Sequence, residues 1–325
     1  MRICVAGGAG YIGSHVSHAL VNAGHEVVVF DNLSTGLRTS VPEKATFVHG
    51  DVSDPLLSRK TLKGCDAIVY LAASKDAGAS MLDPIRYTRN NLQATMSFFD
   101  AANDCGVKYV VFSSSAAVFG ESQYLPLDED HPKDPTNYYG YTKLEIERVL
   151  AWYDKLLGIK SASLRYFNAA GYDPDGKVTG LERNPANLIP VVMEVACGVR
   201  KGMQVFGTDW NTKDGTCLRD YIHVTDLADA HLRALDHLEK GGATFAVNLG
   251  TGSGQSVLDV IHAAEKISGR KVNYQAVGRR AGDPEALWAS GEKAKQLLGW
   301  VPKHSSIESI VETTWNAYKA NGLVK

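Results

Sequence analysis

The chain has 325 residues, 44% of them hydrophobic and 22% charged, ordinary values for a soluble globular protein of one large α/β domain or two smaller units. Its formal net charge of −2 gives no basic field for nucleic acid or acidic membranes. No apolar stretch approaches the ~18–20 residues of a spanning helix, and the most apolar segment, 188–197, is interrupted by Pro190 and Glu194.

The chain opens on a β-branched run at 2–6, with no secretory-signal pattern ahead of it. "VAGGAGYIG" follows and leads into a helix predicted over 11–23. Further strands are predicted at 26–30, 46–50, 67–72, 108–115 and 160–167, with helices over 90–105 and 138–157. The gap between 30 and 46 is too short for a long helix, so a loop or single turn is expected there. Residues 171–180 are turn-rich, and 206–217 read as an irregular loop. Regularity returns with a helix near 224–238 and a strand at 244–250, and two or three helices are expected beyond 256. Strand–helix alternation of this kind predicts an α/β fold, a doubly wound parallel sheet of Rossmann type with a smaller C-terminal lobe. The five cysteines are scattered and form no CxxC, which fits a reduced, cytoplasmic compartment rather than a disulfide or zinc framework.

Gly7, Gly10 and Gly13 stand at the first strand–helix junction as G-x-x-G-x-x-G. Such a turn lets backbone approach a pyrophosphate and points a helix N-terminus at its charge, although a ligand-free glycine turn has the same composition. Asp31 ends the second strand, where a carboxylate accepts bonds from both ribose hydroxyls and repels a 2′-phosphate. NAD is therefore expected rather than NADP, with Arg38 the one nearby group of opposite tendency. Asp51, ending the third strand, is placed to reach an adenine or merely to close a turn.

"NYYGYTK" poses the question of a reactive tyrosine. On a helix only Tyr139 stands at i,i+4 to Lys143; Tyr138 and Tyr141 point elsewhere. A free phenol with a pKa near ~10 is a poor base, but an adjacent ammonium and an oxidised nicotinamide both favour phenolate. Y-x-x-x-K also arises by accident. Its companion is the strand ending in Ser113, Ser114 and Ser115, at the sheet edge where such folds bind ligands. Ser115, the last of the three, is the candidate to share the substrate oxygen with Tyr139.

The order of glycine triplet, Asp, serine strand and Y-x-x-x-K resembles the extended short-chain dehydrogenase/reductase family. "GGAGYIGSH", "DNLSTG", "FSSSAAVFG", "YGYTKLEIE", "LRYFNAAG", "DGTCLRDYIHVTDLADAH" and "NLGTG" are similar to its branch that epimerises UDP-sugars at C4, over essentially the whole chain. The resemblance implies an NAD-dependent isomerase that interconverts UDP-glucose and UDP-galactose through a transient 4-keto sugar. Tyr139 would take the 4-hydroxyl proton, Lys143 would lower the Tyr139 pKa and hold the nicotinamide ribose, and Ser115 would share the 4-oxygen. It further implies cofactor contacts at Tyr11, Ile12, Asp31, Asn32, Asp51, Val52, Leu71, Ala72, Ala73, Lys75, Asn90 and Phe167. Substrate contacts are implied at Lys75, Asn168, Asn187, Leu188, Phe206, Arg219, Arg280 and Asp283, with Leu287 as the gate for the sugar. Without the resemblance, Arg219 and Arg280 read as solvated surface. The implied division is a cofactor unit of 1–168 plus about 219–252, and a UDP-sugar lobe of about 169–218 plus 253–325. The implied assembly is a homodimer joined through the helices at 90–105 and 138–157.

Two other readings stay open. One is a 4-epimerase of UDP-N-acetylhexosamines or UDP-pentoses; the other is an inactive NAD-sensing regulator, which typically lacks the Tyr or Lys that stands here. A 4,6-dehydratase would need an Asp-Glu pair where this chain has Ala116 and Ala117. No metal site is expected: His15 and His18, at i,i+3, read as helix packing or exposed side chains.

Overall fold

The computed structural model describes residues 1–182, 185–280 and 283–324. Its first half contains β1 (Arg2–Ala6), α1 (Tyr11–Asn22), β2 (Glu26–Asp31), β3 (Thr46–His49), α2 (Pro55–Leu62) and β4 (Ala67–Tyr70). A bent helical stretch follows: α3 (Ala77–Leu82), α4 (Pro84–Tyr87), a π-helical segment at Thr88–Gln93 and α5 (Ala94–Asp104). Then come β5 (Tyr109–Ser115), α6 (Tyr138–Leu157), β6 (Lys160–Tyr166), β7 (Asn168–Ala170), α7 (Leu188–Ala196), β8 (Met203–Phe206), β9 (Leu218–Arg219) and β10 (Tyr221–His223). The last elements are α8 (Val224–Glu239), β11 (Phe245–Leu249), β12 (Gln255–Ser256), α9 (Val257–Ser268), β13 (Tyr274–Val277), β14 (Ala286–Leu287), α10 (Glu292–Leu298) and α11 (Ile307–Ala320).

Seven parallel strands form the central sheet in the order β3-β2-β1-β4-β5-β6-β11. Both faces are covered, which is why β1 reads as an unbroken apolar run rather than an alternating one. Val16 and Leu20 of α1, Leu227 and Leu235 of α8, and Ala294 and Leu298 of α10 fill one face. Phe98 of α5, Phe112 of β5 and Ile146 of α6 fill the other. A separate core joins α7, α9 and α11 through Val192, Ile261 and Val311. Strand order reverses between β1 and β4, so a crevice opens at their carboxyl ends.

The doubly wound parallel sheet is as predicted, and the 30–46 gap holds only a short helical turn at Arg38–Ser40. Helix formation before 105 begins earlier than the predicted residue 90. Asp83 caps a new start with Pro84 at its first position, and the π-helical segment breaks the 3.6-residue period that marks a helix in sequence. Segment 188–197 folds as α7 because Pro190 lies in the first turn, where a missing N–H costs no intrahelical bond. Strands β8, β9, β12, β13 and β14 are two to four residues long and leave no readable alternation. Among the described residues no helix is long and apolar enough to cross a membrane.

Candidate cofactor and substrate cleft

The glycine turn is built by close approach. Gly7 has φ +82°, the left-handed region, and a Cβ there would lie 2.9 Å from Ala72 N on the neighbouring strand's loop. A Cβ on Gly13 would sit 2.1 Å from Gly7 O, whereas Gly10 has 3.3 Å to the same atom. Leu71 N donates to Ala6 O at 2.9 Å, which holds the two loops together across the crevice. Asp31 is buried and braces the turn: its Oδ2 accepts Ala9 N at 2.9 Å and its Oδ1 accepts Leu33 N at 2.8 Å. Asn32 donates to Asp51 at 2.7 Å, and Ser53 N donates to Asp51 at 2.9 Å. Burial resists ionisation of Asp51, but the bonds from Ser53 and Asn32 outweigh it and hold the carboxyl below its usual range. Ile12 and Val52 pack on the two sheet cores. Ala73 is exposed, and Asn90 donates to Ser74 Oγ at 3.1 Å in the same loop. A glycine-rich turn at a helix N-terminus, with no acid in the first turn of α1 and a carboxylate at the end of β2, fits a dinucleotide.

The second part of the cleft lies at the end of β5. Asn137 caps α6 by accepting Gly140 N at 2.9 Å. A Cβ on Gly140 would meet Ala117 O at 2.3 Å, so glycine lets the helix start come against the turn that follows Ser115. Tyr139 and Ser115 are thereby brought together, and Ser115 hydrogen-bonds the phenol. Lys143 is 2% exposed, donates from Nζ to Ser113 O at 2.7 Å, and lies 5.7 Å from the Tyr139 ring centroid. Tyr138 and Tyr141 stack on each other at 5.5 Å, and the Tyr138 hydroxyl bonds Thr88 at 2.6 Å.

Electrostatics here depart from expectation. The phenol of Tyr139 is pushed up to about 12 by burial, with Ser115 pulling it down only in part. Burial also pulls the Lys143 amine down to about 7, against the attraction of Glu147. Sequence reasoning counted the charge of Lys143 and left out the desolvation of both groups. In the chain alone, then, the lysine does not bring the phenol below its ordinary range.

Residues of the substrate side converge from several elements. Asn168 bonds Asp220 O through both N and Nδ2, at 3.2 and 2.9 Å. Arg219 and Leu287 are register partners on β9 and β14. Asp283 binds Arg280 with two bonds, at 3.0 and 2.8 Å, and lies 3.7 Å from Arg219. The solvated-surface alternative for Arg219 does not hold: its side chain is 16% exposed, on the middle strand β9 between β12 and β14. Arg280 is 64% exposed and covers Phe206 at 5.4 Å. Asn187 precedes Leu188 at the start of α7 without a side-chain capping bond, and Lys75 pairs with Glu182. Phe167 and Leu287 pack on Val118, Leu127 and Leu144, while Trp288 turns to Gly254.

Sequence reasoning missed the residues that support these groups. Asp220 is buried, accepts Thr251 and Ala289, and sits at about 6 because burial outweighs those bonds. Ser80 receives Tyr139 N, and the Tyr11 hydroxyl donates to Gly171 O. Glu147, Arg165 and Ser114 form a buried cluster beneath Lys143. Only Glu147 had a signal, its i,i+4 spacing from Lys143.

Residues 3–250 match the NAD dependent epimerase/dehydratase family. A UDP-glucose 4-epimerase of Lacticaseibacillus casei is 45% identical over 97% of this chain and 96% of its own length. The structure of UDP-glucose 4-epimerase from Brucella ovis in complex with NAD superposes with a TM-score of 0.95 at 41% identity, covering 98% of each chain. That from Bifidobacterium longum in complex with NAD+ and UDP gives 0.93 at 36% identity and covers 100% of each.

Proposed function

The chain belongs to the NAD dependent epimerase/dehydratase family, and we propose that it interconverts UDP-glucose and UDP-galactose by inverting C4 of the sugar. The observation that carries this is the meeting of Tyr139, Ser115 and Lys143 at the carboxyl end of β5, with the glycine turn across the crevice. Tyr139 takes the proton of the sugar 4-hydroxyl and later returns it, and Ser115 bonds the same oxygen. NAD, when bound, would supply the acceptor and donor for the C4 hydride, and its positive ring would favour the phenolate. Gly7, Gly10, Gly13, Tyr11 and Ile12 hold its pyrophosphate. Asp31 and Asn32 take the adenosine ribose, and Asp51 and Val52 the adenine. Leu71, Ala72, Ala73, Lys75, Asn90 and Phe167 make its further contacts. Asn168, Asn187, Leu188, Phe206, Arg219, Arg280 and Asp283 receive the UDP-sugar, the arginines as planar forks for phosphate oxygens. Ala116 and Ala117 form the turn after Ser115 and supply no acid–base pair for dehydration.

The test is incubation of purified protein with UDP-galactose and no added cofactor. UDP-glucose is expected, and denaturation is expected to release NAD. No conversion, or release of NADP, contradicts the reading.

Leu287 offers no hydrogen bond to an acetamido group, whose unpaired burial costs about 1–3 kcal/mol. UDP-glucose and UDP-galactose are therefore expected to outcompete their N-acetylated analogues, and Leu287→Cys to narrow the gap. Equal specificity constants for both sugar classes in the unaltered protein count against this.

A homodimer is the proposed assembly, supported by Tyr141, Trp152 and Leu156, large side chains exposed along α6. Light scattering at micromolar concentration is expected to give twice the chain mass; a monomer contradicts it. The proposed units are 1–168 plus about 219–252 for cofactor and about 169–218 plus 253–325 for substrate, with Trp300 also reaching the sheet core. Limited proteolysis that cuts within the first unit before the lobe would argue against that division. All five cysteines are free, which supports a reducing, cytoplasmic location, and recovery in an envelope fraction would oppose it.

A further inference from the structure

Beneath the proposed catalytic pair lies a buried ion pair that the mechanism above does not use. Glu147 stands one turn beyond Lys143 on α6, so the two share a helix face. Arg165 of β6 grips it in two parallel bonds, Nε to Oε1 at 2.9 Å and Nη2 to Oε2 at 2.6 Å. The two side chains are 4% and 8% exposed. Ser114 donates its hydroxyl to the same carboxylate. The three serines at the end of β5 thus divide their work. Ser113 holds the Lys143 ammonium through its carbonyl, Ser114 holds Glu147, and Ser115 meets Tyr139.

A buried Arg–Glu pair adds little net stability over well-packed apolar side chains, so anchoring α6 to β6 does not by itself call for one. Lys143 does call for an anion. Among the described residues its Nζ has a single carbonyl as hydrogen-bond partner, and the titratable groups facing the pair include Tyr139 and Glu147 on α6, Tyr87 on α4, Arg165 and Tyr166 on β6, and Lys133 in the preceding loop, with Asp130 and Lys293 next to Lys133. Glu147 is the one among them whose charge favours the Lys143 ammonium. Lys143 Nζ lies 5.7 Å from the Tyr139 ring centroid, so loss of one proton from the two leaves either phenolate beside ammonium or phenol beside amine. Only the first form places a base at the sugar 4-oxygen.

Resting on the reading of Tyr139 and Lys143 above, we propose that Glu147, held by Arg165 and Ser114, is a positioning residue that keeps Lys143 cationic, so that the proton leaves the phenol and not the ammonium. The measurement is a tyrosinate ultraviolet titration of the NAD-loaded protein, with Tyr139→Phe as the blank because the chain has fourteen tyrosines. Glu147→Gln leaves Arg165 buried without its partner, so Glu147→Gln/Arg165→Met is the variant that keeps the fold. In both, the Tyr139 midpoint and the acid limb of the kcat profile are expected to rise by about one unit, the low end of the effect of a near opposite charge. KM for UDP-galactose is expected to hold, and Glu147→Asp to restore the midpoint. An unchanged midpoint in the folded double variant overturns the inference and makes the pair a structural anchor. The titration needs no substrate, so it decides this question even if UDP-galactose is not turned over, a result that would sink the functional reading instead.

Discussion

Tyr139→Phe is expected to fold normally, keep its bound NAD and lose at least ~10²-fold in turnover, the usual scale for removing a general acid–base group. The substitution deletes one oxygen and leaves the ring in place beside Lys143. It removes the bond to Ser115 but not the bond from Tyr139 N to Ser80, which belongs to the backbone. Tyr138→Phe and Tyr141→Phe serve as controls. Their rings stack with each other on a different side of α6 from Lys143, and the Tyr138 hydroxyl is engaged with Thr88. Neither is expected to lower turnover more than a few-fold; Tyr138→Phe loses one hydrogen bond, worth about 0.5–1.5 kcal/mol of stability. Steady-state kinetics with NAD content measured on each sample checks the set. A larger loss in Tyr141→Phe than in Tyr139→Phe would mean that the wrong tyrosine has been placed at the sugar.

Gly13→Ala is expected to strip the protein of NAD and thereby of activity. The added Cβ would lie 2.1 Å from Gly7 O and 2.8 Å from the Gly8 Cα, both backbone atoms of the turn itself. No side chain can rotate to relieve that contact, so the turn must open, at the usual overpacking cost of about 1–3 kcal/mol. Opening it also withdraws the backbone from the pyrophosphate. Gly10→Ala, with 3.3 Å to the same carbonyl, should retain much more cofactor. The measurement is NAD released on denaturation per chain, set beside thermal stability. A Gly13→Ala protein that melts lower yet carries a full complement of NAD would show that the turn is only structural.

The sheet was legible in the sequence because its strands are buried on both faces and its helices are long enough to show a period. β1, β5 and β6 were placed within a residue or two for that reason. The glycine turn, Asp31 and the Tyr139–Lys143 spacing were legible too, each being a local pattern on one element. What was not legible is what arises between elements. Glu147 meets Arg165 only when β6 docks beneath α6, and Asp220 meets Thr251 and Ala289 only when three segments converge. Without the resemblance Arg219 reads as surface, because a two-residue strand such as β9 gives no pattern of burial. The raised Tyr139 phenol was missed for a different reason. Spacing shows the neighbouring charge, whereas desolvation depends on what packs above and below.

The central claim is that the C4 hydrogen of the sugar leaves and returns within one active site while Tyr139 moves only the hydroxyl proton. UDP-galactose carrying deuterium at C4, converted in ordinary water without added cofactor, tests it most directly. The account predicts UDP-glucose with the deuterium still at C4, its configuration inverted. Product with C4 hydrogen drawn from the solvent would contradict it.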